Sequence, residues 1–135
     1  MAQAKASIGT IDYAVSITAG RHALTADEPT EDGGGDTGPT PPELLCAALC
    51  ACTSITLRMY AKRKGWPLRA LHVDVDFVQD VRSQAESAEQ IDVTISFVGE
   101  LSEEQRRRLV EIAEHCPVSR MLASGVRIRS SLEPA

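Results

Sequence analysis

The residues best suited to chemistry are three cysteines, Cys46, Cys50 and Cys52, close together in one apparent helix, and a distant His115-Cys116 pair. By type they are able to ligate a metal, form disulfides or act as nucleophiles. Spacing narrows the choice. On a helix of 3.6 residues per turn, Cys50 and Cys52 point about 200° apart and cannot share one ion. No Cys-x-x-Cys pair of the kind common in structural zinc sites exists. Cys46 and Cys50 share a helix face, where cysteine commonly packs as a small hydrophobe. Three cysteines crowded on one helix also make a poor disulfide framework. Cys52 by itself reads as a core position too. It lies mid-helix, where the dipole of its own helix helps little, and it would need a nearby cation to react as a thiolate.

The elements that would hold these residues follow from periodicity. Ile11, Tyr13, Val15 and Ile17 alternate with Asp12, Ala14 and Ser16, the period of a half-buried strand. Gly20 allows a turn, and Arg21 to Ala26 is the returning strand. Asp27 to Thr40, with Gly33, Gly34 and Gly35 in succession, reads as a mobile loop. A long helix then starts at a Thr40-x-x-Glu43 capping box with Pro41 in its first turn, and it ends near Gly65 and Pro67. Its roughly 36 Å length exceeds what a domain with a radius of gyration of about 14 Å easily encloses. Leu44 to Leu57 is apolar or small on every face, so a second subunit is expected to cover part of it.

Two more strands alternate strictly: Leu71, Val73, Val75 and Phe77 against His72, Asp74 and Asp76, then Ile91, Val93, Ile95 and Phe97 against Asp92, Thr94 and Ser96. Polar residues from Asp80 to Gln90 connect them. Ser102 and Gln105 form a second capping box for a helix that stops at Pro117, which can itself open a short helix to about Ala123. Val126 and Ile128, alternating with Arg127 and Arg129, predict a final strand. The order is α+β, in one domain spanning residues 1–135.

Composition sets bounds. The 135 residues carry a net charge of -5, with 43% hydrophobic and only 4% aromatic residues, so the core must be aliphatic. Nucleic acid is not an expected partner, because its binding rests on clustered Lys and Arg. The N-terminus lacks an apolar targeting segment, and Leu44 to Leu57 is too short and too rich in Ser and Thr to span a bilayer. A cytoplasmic protein is expected.

The run from Gly38 to Thr53, GPTPPELLCAALCACT, and the run from His115 to Val118, HCPV, resemble the two cysteine motifs of the OsmC/Ohr family of hydroperoxide reductases. Gly20-Arg21, Asp27-Glu28-Pro29 and Thr56 to Leu68 add to the resemblance, which covers essentially the whole chain. It implies an OsmC-like fold in which two antiparallel sheets surround two central helices in an intertwined, swapped homodimer. It implies an enzyme, a thiol-dependent peroxidase that reduces organic hydroperoxides, and hydrogen peroxide less well. By resemblance Cys52 is the peroxidatic cysteine and Cys116 the resolving one. Cys52 would pass through a sulfenic acid to a Cys52–Cys116 disulfide that an external dithiol, lipoyl-type or other, reduces. No bound cofactor and no metal are implied.

Arg21 is the cation implied for the Cys52 thiolate. Glu43 is the implied partner that orients Arg21, although the relatives' glutamate aligns with Pro42, and the capping box explains Glu43 without catalysis. Ser119 stands where many relatives have histidine. Leu45, Leu49 and Ile55 are expected to line the approach to Cys52. Trp66 reads as a packing anchor, and His72 as a solvated residue. His115, in the last helical turn, is placed favourably against that helix's dipole. Two other readings stay open: a redox-sensing or binding module of the same fold with little turnover, and a structural metal-binding protein.

Overall fold

The computed structural model describes residues 2–79 and 89–134. The elements are β1 (Ala4–Ile8), β2 (Val15–Ala19), β3 (His22–Ala26), α1 (Pro41–Lys64), β4 (Leu68–Gln79), β5 (Glu89–Gly99), α2 (Glu103–Ala113) and α3 (Pro117–Ser124), with a 3-10 turn at Thr30–Asp32. The fold is α+β with two antiparallel sheets, β1-β2-β3 and β4-β5. The chain forms two compact units, Met1–Ala47 and Ala48–Ala135.

In the first unit, β2 and β3 pair from Val15↔Ala26 to Ala19↔His22 around a two-residue turn, Gly20-Arg21. Gly20 has φ 60, the left-handed conformation that the first position of a tight hairpin turn needs and glycine adopts freely. The strand expected from Ile11 begins later, at Val15. Residues 9–14 instead connect β1 to β2, with Ile11 76% exposed and Tyr13 at φ 70. The Ile11/Tyr13 alternation fits a strand, but pairing with β1 from Ile8↔Val15 onward uses those residues as a turn. Periodicity also left β1 undetected, because all five of its residues are exposed and none marks a face.

The loop after β3 is held in place rather than mobile. The Asp27 side chain, only 2% exposed, accepts hydrogen bonds from the Glu28 N–H at 2.7 Å, the Gly35 N–H at 3.3 Å, the Thr37 N–H at 3.2 Å and the Thr37 hydroxyl at 2.6 Å. A Cβ on Gly34 would collide with the Glu28 carbonyl oxygen, so the chain returns on itself only with glycine there. The Thr37 hydroxyl, followed by the Glu28 N–H, holds the Asp27 carboxyl below its usual range.

α1 starts as its capping box requires. The Thr40 N–H donates to Glu43 Oε1 at 2.9 Å, and the Glu43 N–H to Thr40 Oγ1 at 3.3 Å. At the far end the Trp66 N–H reaches back to the Ala61 carbonyl at 2.9 Å, past Gly65 at φ 71. The helix extends well beyond Leu44 to Leu57, and an 18-residue window of it has mean hydropathy 1.6, so by length and composition alone it would suffice to cross a membrane. In the second unit it instead buries one stripe, Leu49, Thr53, Leu57 and Ala61, spaced by four.

β4 and β5 form a long antiparallel pair in which Leu71↔Phe97, Val73↔Ile95, Val75↔Val93 and Phe77↔Ile91 are partners. His72, Asp74 and Asp76 are exposed on the opposite face, as the alternation requires. The polar connection read over Asp80 to Gln90 lies largely outside the described residues, and β5 already includes Glu89 and Gln90. Leu57, Ala61, Leu68, Leu101, Leu109 and Ala113 form the core of this unit. Full burial of one leucine such as Leu57 or Leu109 contributes roughly 1.5–3 kcal/mol. The Ser102/Gln105 capping box starts α2. The Arg106 guanidinium binds the carbonyls of Phe97, Gly99 and Leu101, tying the end of β5 to α2.

The final strand expected at Val126 to Arg129 does not form. Residues 125–134 have no regular structure, and Val126 and Ile128 are 58% and 84% exposed. Their alternation defines a face, but a strand also needs a neighbour to complete its ladder, and among the described residues none pairs with it.

The buried Asp27 yields a pH prediction. Its folded carboxyl ionises below the ordinary 3.8, so its stabilising contribution is whole above that value and drains away as pH falls through the lower folded one. Asp27→Asn should lower the melting temperature at pH 7 and flatten the acid limb of a circular-dichroism stability profile. An unchanged acid limb would remove Asp27 as its source.

Candidate functional site

The site is built where α1 meets the start of α3. Cys116 precedes Pro117 and is held extended at φ -65, ψ 144, as residues before proline prefer. It therefore becomes the N-cap of α3, a position usually filled by Ser, Thr, Asp or Asn. Its Sγ accepts from the Ser119 N–H at 3.3 Å. Pro117 has no N–H to give, and the next donor, the Val118 N–H, points at Cys52 Sγ at 3.5 Å. Two successive backbone donors at one helix start are thus divided between two sulfurs.

The two thiols also meet each other. Cys52 is half-buried on α1, and the Cys116 thiol is within hydrogen-bonding reach of it. Thr53, buried in the stripe of α1, touches Cys116 with its hydroxyl 3.9 Å from Sγ. Thr56, one turn after Cys52, hydrogen-bonds the Cys52 sulfur. All four cysteines are free thiols, and Cys116 is fully buried.

Burial dominates the ionisation of Cys52. Desolvation pushes its thiol above the ordinary 9.0; the Val118 N–H and the Thr56 hydroxyl pull it down, and the neighbouring Cys116 thiol pushes it further up. No cation of this unit is among the groups that act on it. The arrangement suits disulfide formation, with two sulfurs together and N–H donors for any negative charge on them, but within this unit no cation helps the thiolate to form.

A cavity of about 220 Å³ opens beside Cys116, lined among others by Leu49, Thr53, Ile91, Ile95, Val110 and Ser119. Thr53 and Ser119 belong both to this wall and to the shell of Cys116. Of the aliphatic residues expected at the approach, Leu49 lines the cavity, whereas Ile55 is turned outward at 59% exposure.

Arg21 is exposed at the β2–β3 turn of the first unit, and Glu43 is exposed in the capping box at the start of α1. Cys50 donates to the Val73 carbonyl at 3.7 Å, which suits packing against β4. His115 is exposed, with Nδ1 3.1 Å from the Arg120 guanidinium. Trp66 packs edge-on against Tyr60, the anchoring role expected of it. Among the described residues no group of three or more His, Cys, Asp or Glu is placed to hold a metal. The sequence reading missed Thr53, Thr56 and the N–H groups of Val118 and Ser119. For Cys52 it weighed only the dipole of α1, and not that of the short helix it expected Pro117 to open.

Comparison with known proteins bears on family and fold. The sequence model of the OsmC-like protein family matches residues 33–131. No curated protein matches the sequence. Among solved structures, the chain is similar to an OsmC-like protein from Mycoplasma pneumoniae at 17% identity and TM-score 0.77, covering 91% of this chain and 87% of that one. It is also similar to an organic hydroperoxide resistance protein OsmC from Legionella pneumophila, at 23% identity and TM-score 0.65, with 90% and 88% covered. The organic hydroperoxide resistance protein OhrB of Bacillus subtilis matches at 26% identity and TM-score 0.59, with 89% and 88% covered. With most of its length matched by the family's sequence pattern and its fold shared with these structures, the chain belongs to the OsmC-like family.

Proposed function

We propose that the protein is a thiol-dependent hydroperoxide reductase in which Cys52 attacks the peroxide and Cys116 resolves the product. The observation that carries this reading is the meeting of the two thiols at the start of α3. In the first step the Cys52 thiolate forms a bond to one peroxide oxygen, the O–O bond breaks, and the leaving alkoxide takes a proton to become the alcohol. Cys52 is left as a sulfenic acid. Cys116 then forms the S–S bond with loss of water, and an external dithiol returns both sulfurs to thiols by exchange. The cycle needs no bound cofactor and belongs in a reducing compartment such as the cytoplasm. The hydroperoxide resistance named in the Legionella and Bacillus structures supports an organic hydroperoxide as substrate, as does the aliphatic wall beside Cys116.

A homodimer completes this reading. α1 leaves Ile55 and Met59 59% and 65% exposed, apolar area that a second copy would bury, and Cys52 still needs a cation. Arg21, exposed at its turn, is the residue assigned to supply it. Glu43 would orient Arg21 through Oε2 while keeping its cap, since only Oε1 accepts from the Thr40 N–H.

A second reading has one observation in its favour. The raised pKa of the Cys52 thiol, which disfavours its thiolate, would suit a slow redox sensor of the same fold, and steady-state turnover separates the two.

With a dithiol supplied, Cys52→Ser should abolish consumption of cumene hydroperoxide. Cys116→Ser should allow one turnover and then accumulate sulfinic acid, read by mass spectrometry. Wild-type turnover in Cys52→Ser would end the proposal. The pH dependence tests Arg21: alkylation of Cys52 by iodoacetamide should rise through the thiol's ionisation, and Arg21→Ala should move that midpoint upward and slow the reaction at pH 7 by about tenfold, the effect of one unit of pKa. Superimposable profiles would clear Arg21 of the role. Sedimentation at micromolar concentration should give twice the 14.5 kDa chain mass, and a monomer there would rule out the dimer.

A further inference from the structure

Away from the thiols, the second unit gathers positive charge around one aromatic ring near the end of α1. Arg63 Cζ lies 5.4 Å, Lys64 Nζ 5.7 Å and Arg108 Cζ 5.9 Å from the Tyr60 ring centroid. Arg108 Nε also donates to the Tyr60 hydroxyl at 3.2 Å. Trp66 meets the same ring edge-on at 5.5 Å. Trp66, Arg107 and Arg108 line an open groove of about 600 Å³ on this face.

The positive charge is not fully balanced. Glu111 pairs with Arg108 at 2.9 Å, and Glu103 sits 3.9 Å from Arg107 in a pair so exposed that it contributes little. Among the described residues neither Arg63 nor Lys64 forms an ion pair. The negative end of the α1 dipole and the face of Tyr60 offset part of their charge, but neither carries a full counter-charge. On a chain of net charge -5, Arg63, Lys64, Arg107 and Arg108 against Glu103, Glu104 and Glu111 leave a local positive excess, and such an excess steers an anionic partner to one place. Glu104 and Glu111 are interleaved with the arginines in the groove, which disfavours a dense cluster of phosphates and suits a peptide with spaced carboxylates.

We propose that Tyr60, Arg63, Lys64, Trp66, Arg107 and Arg108 dock an acidic protein segment that carries the dithiol reducing the Cys52–Cys116 disulfide. This rests on the peroxidase reading above. Turnover needs two electrons that the chain does not hold. One carrier sulfur attacks the disulfide to form a mixed disulfide, and the second displaces it, leaving the carrier oxidised and both protein cysteines as thiols. Most of the acidic surface repels an acidic carrier. The patch attracts it on the helix that bears Cys52, about 12 Å further along the axis.

The test uses the full-length oxidised protein and two synthetic peptides, each with a pair of cysteines followed by six glutamates or six glutamines, with rates normalised to their reduction of oxidised glutathione. In about 20 mM salt, where charges act over long range, the acidic peptide should reduce the disulfide on the order of tenfold faster, within the range of electrostatic steering. The advantage should vanish in 0.5 M salt and in the R63E/K64E/R107E variant. Dithiothreitol should reduce both proteins alike, which also shows that the variant is folded at the site. Trp66, the one tryptophan, should report saturable binding by fluorescence. Equal rates for the two peptides, an advantage that survives charge reversal, or binding without a rate advantage would each overturn the proposal. So would tighter binding of inorganic triphosphate or anionic vesicles than of the acidic peptide. If hydroperoxide treatment produces no disulfide, the peroxidase reading fails instead.

Discussion

The thiol site depends on how the first turn of α3 disposes of its N–H groups. Every helix begins with donors that have no partner in the helix. Here Pro117 removes one of them, and the next two are given to sulfur: Val118 to Cys52 and Ser119 to Cys116. The same Cys-Pro step holds Cys116 extended, starts the helix and aims its positive end at both thiols. A neutral thiol is a weak acceptor, whereas a thiolate or sulfenate is a strong one. The start of α3 is therefore held more tightly when either sulfur is charged, so a local helix cap becomes coupled to the ionisation of the two thiols.

Against this stands burial. Cys116 has no exposed surface, and at Cys52 desolvation together with the neighbouring Cys116 thiol outweighs the hydrogen bonds from Val118 and Thr56. The second unit thus solves the geometric half of disulfide chemistry, bringing two remote sulfurs together on rigid elements, and leaves the electrostatic half open. That division is physically reasonable. A positive charge fixed beside two buried thiols would have its own desolvation cost, whereas Arg21, the residue proposed for that charge, is exposed on a hairpin turn and keeps its water.

What could be read in the sequence follows from what local pattern encodes. The capping boxes at Thr40/Glu43 and Ser102/Gln105 and the wet face of His72, Asp74 and Asp76 depend on neighbours a few residues away, and all appear as expected. The strands at Ile11 and Val126 had the right alternation, but a strand exists only with a partner, and period carries no information about partners. The loop at Asp27 looked mobile because its glycines and acids resemble a linker. Its order comes from one carboxylate collecting donors from residues up to ten positions away, which no composition reveals. At the site, both cysteines were found through family resemblance, while their donors were missed, since backbone N–H groups leave no trace in residue type.

α1 ties these threads together. It buries only the Leu49, Thr53, Leu57 and Ala61 stripe while Ile55 and Met59 remain outside, so its apolar surface exceeds what its own unit covers. Whatever covers the rest also removes water from around Cys52, three residues before Ile55. A purely apolar cover would therefore push the thiol further up and make it less reactive. Only a cover that brings a guanidinium as it excludes water reverses that sign, because a charge pair strengthens as the surrounding dielectric falls. The same burial that completes the helix thus either silences Cys52 or activates it, and the outcome turns on whether a cation arrives with the apolar surface.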